Sequence, residues 1–225
     1  MIPLSYPVSR KTPLFPGTPA LTLSRRAEEG QVATSTKLCL DTHSGTHLDV
    51  PCHFCPGGPS VKDYPPYIEI RSALCIDVPA SGGTGLTGEM VALPPRSEEA
   101  EALLIRTGMH HCRREDPQRY AADHPFLLPS FARWLLDLFP RLRMVGIDCV
   151  SVAHPDHGPE AEEVHTTLLC RPSPVLILED LDLSDHRLVG GTFTLVVLPM
   201  FHDRLDGTPV AALAHLPRGS GDEAV

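Results

Sequence analysis

Twenty-four prolines and seventeen glycines, spread along the whole of a 225-residue chain, limit what it can fold into. A proline inside a helix removes a backbone donor and clashes with the preceding turn; in a central strand it removes a ladder bond. Many short elements joined by turns are therefore expected. Between the breakers lie short apolar runs of strand type: "TKLCLDTH", "ALCIDV", "ALLIRT", "RMVGIDCV", "PVLILED" and "GTFTLVVLP". Helical patterns are fewer. In "PSFARWLLDLFP" the spacing puts Phe131, Leu135 and Leu138 on one face, and Pro140 stops the run. "PEAEEVHTTLLC" has acids in its first turn and groups Val164, Leu168 and Leu169, which predicts His165 on a helix. Strands outnumber helices, so the reading is a mixed α/β domain with a large strand component. No repeat or low-complexity linker divides it: one domain is expected over residues 1–215, followed by a small, polar, loose tail at 216–225.

An apolar content of 42% is enough for a core, and 5% aromatic residues make that core mostly aliphatic. The formal charge of −9, with no Lys/Arg-rich run, argues against nucleic acid or an anionic membrane as partner. The stretch "MIPLSYPVSRKTPLFPG" lacks the basic and apolar regions of a secretory signal. "FTLVVLPMF", the longest apolar stretch, is far short of the ~20 residues that cross a bilayer. Seven cysteines, an odd number in a chain of this size, do not suggest a disulfide framework. A cytoplasmic protein with free thiols is expected.

"DTHSGTHLDVPCHF" is the stretch that composition does not explain. It gathers His43, His47, Asp49 and His53 around Gly45 and Pro51. Two histidines four apart suggest a helical metal site, but Ser-Gly-Thr between them and Pro51 after them oppose a helix. In an extended chain residues 43, 47, 49 and 53 share one face. A straight strand would hold His43 and His47 about 13 Å apart, too far for one ion, since zinc–nitrogen bonds are about 2 Å. The chain is therefore expected to enter as a strand at "LCLDT", turn at Ser44–Gly45, and bring His43, His47 and Asp49 to one point. A single histidine here would be an ordinary exposed loop residue. As a set, imidazoles and a carboxylate suit zinc or manganese, and three protein ligands leave a position for water, as in catalytic sites.

Other candidates are weaker. Cys52 and Cys55 in "CHFC" have no second C-x-x-C for a structural zinc, and no helix opens after them for a redox role. Glu179 follows the strand run Val175–Leu178, where a carboxylate can face a cleft. Asp148 reads as a buried hydrogen-bonding acid, and His110–His111 as part of a solvated, charged loop. His154 and His157 follow the "GIDCVSV" strand and could face a site.

"HSGTHLDVPCH" matches the H-x-G-T-H-x-D-x-P-x-H signature of the cyclase-like metal-dependent hydrolases, a family that includes bacterial kynurenine formamidases and isatin hydrolases. "PLFPGTP", "ALLIRTG", "VGIDCVSV", "HTTLLCRPSPVLILEDL" and "DGTPVAALA" resemble further segments of the family along nearly the whole chain. The resemblance implies a swivelling β/β/α fold, usually oligomeric and often dimeric. It implies His43 and His47 as ligands of a first metal, Asp49 as a ligand able to bridge, and His165 and Glu179 as ligands of a second. His53 would be the catalytic acid/base, and Phe15 would lie near the substrate ring. The chain departs from the pattern at "PGT" in place of P-G-D, at Phe15 in place of tryptophan, in two extra residues at "CRPSP", and at Asp180 in place of asparagine.

The resulting expectation is a hydrolase of a small amide carbon–nitrogen bond, using one or two zinc ions, or manganese, to activate water, with His53 passing a proton to the leaving nitrogen. The most specific form is an arylformamidase releasing formate from N-formylkynurenine in tryptophan breakdown. The alternatives are a hydrolase of a cyclic amide such as isatin, or of another small amide or ester. A metal-dependent binder without turnover would have no use for His53. No G-x-S-x-G elbow supports a serine-hydrolase route.

Overall fold

The computed structural model describes residues 1–27 and 32–217. The elements, in chain order, begin with β1 (Ile2–Pro3), β2 (Thr22–Ala27), β3 (Thr34–Cys39), β4 (His47–Asp49), β5 (Ile68–Asp77), β6 (Gly85–Leu86) and β7 (Ala102–Arg106). Helices α1 (His110–Glu115) and α2 (Pro117–Ala122), strand β8 (Phe126–Leu127) and helix α3 (Pro129–Leu138) follow. Then come β9 (Met144–Ile147), α4 (Gly158–Leu169), β10 (Leu176–Glu179), β11 (Thr192–Pro199) and β12 (Gly207–His215). Even α4 has only 12 residues, as the proline distribution requires.

Strands β12, β11, β5, β7, β9, β10 and β4 pair in that order, and β4 pairs back onto β12, so the sheet closes into a seven-stranded barrel. β5, β7, β9 and β10 run parallel; the remaining pairings are antiparallel. This division is written in the residues. The parallel strands are covered on both faces, and "ALLI", "MVGI" and "LILE" are buried throughout. β11 and β12 have one open face, and their burial alternates. In β7, Ala102 and Leu104 join the core inside the barrel while Leu103 and Ile105 pack against the helices. On that outer face Phe131, Ala132 and Leu135 of α3 and Val164, Leu168 and Leu169 of α4 complete a second core. Leu138 is only half-buried, and Phe139 takes the place expected for it. Burying each such side chain contributes about 1.5–3 kcal/mol.

Three expectations need correction. The "TKLCLDTH" strand stops at Cys39 and pairs only with β2, forming an exposed ribbon; His47 and Asp49 are carried by the separate strand β4, with His43 and His53 in the turns on either side of it. His110 and His111 open helix α1 rather than lying in a loop, since helix-forming residues continue to Glu115 before Pro117 intervenes. The thiols are not all free: Cys55 and Cys170 form a disulfide with their Cα atoms 5.5 Å apart. Counting cysteines could not reveal a pair 115 residues apart, which meets only because the end of α4 packs beside the turn after His53. From residue 218 onward the expected loose tail lies outside the described residues. Among the described residues no helix is long and apolar enough to cross a membrane.

Candidate metal centre

β4 is the stave on which the site is built. Leu48 and Val50 point into the barrel core, so His47 and Asp49 face outward. β10 lies on one side of β4, with Glu179 opposite His47, and β12 on the other, with Gly207 opposite Asp49. The turn before β4 carries His43 and reverses at Gly45, whose φ of 69° is left-handed, as the sequence led us to expect. After β4, a 3₁₀ turn over Pro51–His53 presents His53. α4 crosses above and presents His165, one turn beyond Ala161. A cavity of about 480 Å³ is lined by His43, His47, Asp49, His53, His165 and Glu179, with Phe15 and Phe54 among its walls. The fold thus brings together the seven side chains that the family resemblance implied, and leaves His154, His157, Cys52 and Cys55 off the cavity wall.

The contacts specify which atoms remain free. His47 Nδ1–H donates to the Gly45 carbonyl at 2.8 Å, leaving the lone pair of Nε2 aimed between Asp49 Oδ1 at 3.4 Å and Glu179 Oε2 at 3.3 Å. His165 does the same through Nδ1–H to Ala161 at 2.7 Å, with Nε2 3.7 Å from Asp49 Oδ2 and 3.9 Å from Glu179 Oε1. Glu179 Oε1 is fixed by Ser151 Oγ at 2.9 Å and the Val152 amide at 2.7 Å. His43 Nδ1 lies 2.8 Å from Asp49 Oδ1. Lone pairs and negative oxygens therefore converge in a buried space, and both His43 Nε2 and His47 Nε2 lack a hydrogen-bond partner. Such a cluster demands positive charge, supplied by protons or by a divalent cation.

The residues fit a cation in donor chemistry as well as in place. His43, Asp49 and His53 form one close group of potential ligands, and His47, Asp49 and Glu179 a second; Asp49 is common to both. His43 and His47 feel opposing influences. Burial pushes each down, but Asp49, joined at His47 by Glu179, outweighs it and raises both, His47 well above the usual range. Burial likewise pushes Asp49 up, yet the two histidines hold it well below the usual carboxylate range. For His53 burial dominates and its pKa is lowered, so the ring is neutral at neutral pH.

Residues 2–154 match the model of the Cyclase family, described as "Putative cyclase". The chain belongs to the cyclase family. It is 30% identical to a kynurenine formamidase of Bacillus cytotoxicus over 94% of this chain and 95% of that one, and 31% identical to one of Bacillus cereus with the same coverage. In fold it is similar to an isatin hydrolase solved with the product analogue thioisatinate: TM-score 0.71, 19% identity, 96% of this chain and 92% of the other. Isatin hydrolase A from Ralstonia solanacearum gives a TM-score of 0.71 at 18% identity, over 95% and 90% of the two chains.

Some neighbours of the site in this cyclase-family chain were not singled out from sequence. Asp206, just before β12, reaches His43 Nε2 at 3.3 Å and His53 Nδ1 at 3.4 Å. Gly207 leaves room for the His43 ring, which a Cβ there would strike. Phe54 stacks on His165 with ring centroids 4.3 Å apart and meets His53 edge-on at 4.6 Å. Ser151 and Asp206 lie in segments that matched the family, "GIDCVSV" and "DGTPVAALA", but nothing in their spacing marks a role. His154 is buried beside His124 and Phe126, away from the cavity wall, and Asp148 accepts from the Thr107 amide and hydroxyl and the Gly108 amide. Asp148 is the buried hydrogen-bonding acid expected.

Proposed function

We propose that the chain is a metal-dependent hydrolase of a small amide carbon–nitrogen bond, and specifically an arylformamidase that converts N-formylkynurenine to kynurenine and formate in tryptophan breakdown. The observation that carries the reading is a cation-demanding cluster sharing one cavity with a histidine that burial keeps neutral. The formamidase relatives supply the substrate. His43, His47, Asp49, Glu179 and His165 would hold one or two zinc or manganese ions. Such an ion supplies a Lewis acid and, by lowering the pKa of water from 15.7 to about 7, a nucleophile at neutral pH.

The chain's own residues do the rest. Neutral His53 takes the proton released as water attacks and delivers it to the amide nitrogen, which leaves poorly unless protonated. Phe15 and Phe54 provide apolar, planar walls for an aryl ring. His47 and His165 are held in one tautomer by their carbonyl partners, so their free nitrogens need no reorganisation. The same reading makes the enzyme a cytoplasmic homodimer.

The test is the initial rate of N-formylkynurenine hydrolysis by protein stripped of metal and reloaded with zinc or manganese. The expected result is a metal-dependent rate that falls by roughly 10²–10⁴-fold in His53→Ala without loss of the ion, whereas His47→Ala loses the ion itself. Release of the ion by His53→Ala would make His53 a ligand instead. No rate with either metal would move the substrate to a lactam such as isatin, for which Phe15 and the "PGT" loop are the departures already noted.

A further inference from the structure

We propose that Asp206 is a positioning residue for the acid/base step, holding His53 in the tautomer that carries its proton on Nδ1; the proposal rests on the acid/base role given to His53 above. Among the described residues Asp206 is the carboxylate nearest His53 Nδ1, at 3.4 Å, an ion-pair approach that the working complex would tighten into a hydrogen bond. Its placement is built rather than incidental. The Val50 amide donates to the Asp206 carbonyl at 3.2 Å, tying this loop to the end of β4. Thr42 Oγ1 donates to Asp206 Oδ1 at 3.1 Å, which turns the other oxygen, Oδ2, toward the histidines.

Oδ2 also lies 3.3 Å from His43 Nε2, and the two imidazoles stack with centroids 4.0 Å apart and planes 27° from parallel. One oxygen thus faces a nitrogen on each ring. His43 already has Asp49 at its Nδ1. Among the described residues no other carboxylate lies within 4 Å of the His53 ring nitrogens, so Asp206 is the group placed to choose its tautomer. An Nδ1–H held by a carboxylate leaves Nε2 as the lone pair that accepts a proton, and stabilises the ring once it has done so.

The test uses the zinc-loaded protein and its Asp206→Asn, Asp206→Glu, His53→Ala and doubly substituted forms. Long-range ¹H–¹⁵N spectra of the imidazoles, with His53 assigned by its loss in His53→Ala, report the tautomer directly. The wild type should show Nδ1–H at His53, Asp206→Asn a shift away from it, and Asp206→Glu its return. Zinc content and KM should stay at wild-type values in Asp206→Asn, while kcat falls roughly 10–100-fold, the usual loss when an orienting partner is removed. In the His53→Ala background Asp206→Asn should cost nothing further. An unchanged His53 tautomer, loss of zinc, or an equal loss of kcat in both backgrounds would overturn the proposal; the last two would assign Asp206 to His43. If the wild type failed to turn over N-formylkynurenine, the substrate assignment would fall, and the imidazole spectra would still decide the role of Asp206.

Discussion

Gly207 and His47 show how single residues set the limits of this centre. Gly207 sits opposite Asp49 in β12, and its missing side chain is the space His43 occupies. Gly207→Ala should push the His43 ring away and lower metal affinity or kcat/KM by about 10–100-fold, with the thermal midpoint nearly unchanged because the barrel core is untouched. Metal content by mass spectrometry beside a melting curve separates the two effects. His47 is pulled the other way, by charge. Burial alone would lower its pKa, but Asp49 and Glu179 outweigh burial and raise it. A raised value keeps the ring protonated to higher pH in the metal-free protein, and only neutral imidazole binds a cation. Zinc affinity should therefore decline on acidification from a pH above the ~6.5 of an unperturbed imidazole. Equilibrium dialysis at stepped pH would refute this if the decline began only below that value.

At the level of elements, β10 is followed by a residue in an uncommon backbone conformation. Asp180 follows Glu179 with φ of 53°, in the left-handed region that short polar side chains tolerate better than others. An asparagine would suit the same backbone, and the aspartate's charge is met here by α1. Arg113 grips both oxygens of buried Asp180 at 2.6 Å and lies over the Tyr6 ring at 3.6 Å; Tyr120 donates to Asp180 at 2.7 Å. The interaction anchors the backbone that carries Glu179. Arg113→Met should leave a buried carboxylate without its partner and destabilise the fold by about 3–5 kcal/mol, read as a lower denaturant midpoint; a loss below about 1 kcal/mol would mean the pair behaves as an exposed one. None of this was legible in "HHCRRED", where Arg113 is one basic residue among charged neighbours. The strands β5, β7, β9, β10 and β11 and both longer helices were legible, because their apolar runs report burial directly.

Across the whole molecule, what the sequence displays and what it hides divide by distance along the chain. The signature between His43 and His53 is local, so its residues announce one another. Asp206, Cys170 and Arg113 act on partners far off, and no spacing rule connects them. The disulfide from Cys55 to Cys170 encloses a loop of 115 residues. Unreduced, denatured protein should titrate five thiols and reduced protein seven. Replacing both bonded cysteines with alanine should lower stability by roughly 2–5 kcal/mol; seven thiols without reductant would refute the bond.

β4 has a place in the barrel that no other strand shares: three residues long, it is held by β10 on one side and β12 on the other, and it carries His47 and Asp49. The Thr46 hydroxyl beside it bonds to the Asp180 carbonyl, 134 residues away. Contacts between such remote parts are entropically the most demanding to form, because the intervening chain must first be ordered. His47 and Asp49 reach Glu179 only where β4 pairs with β10, so the ligands meet only when the ring is shut. Catalytic competence in this protein is therefore a report on ring closure. A chain without β4 in place would lack the ligand set altogether.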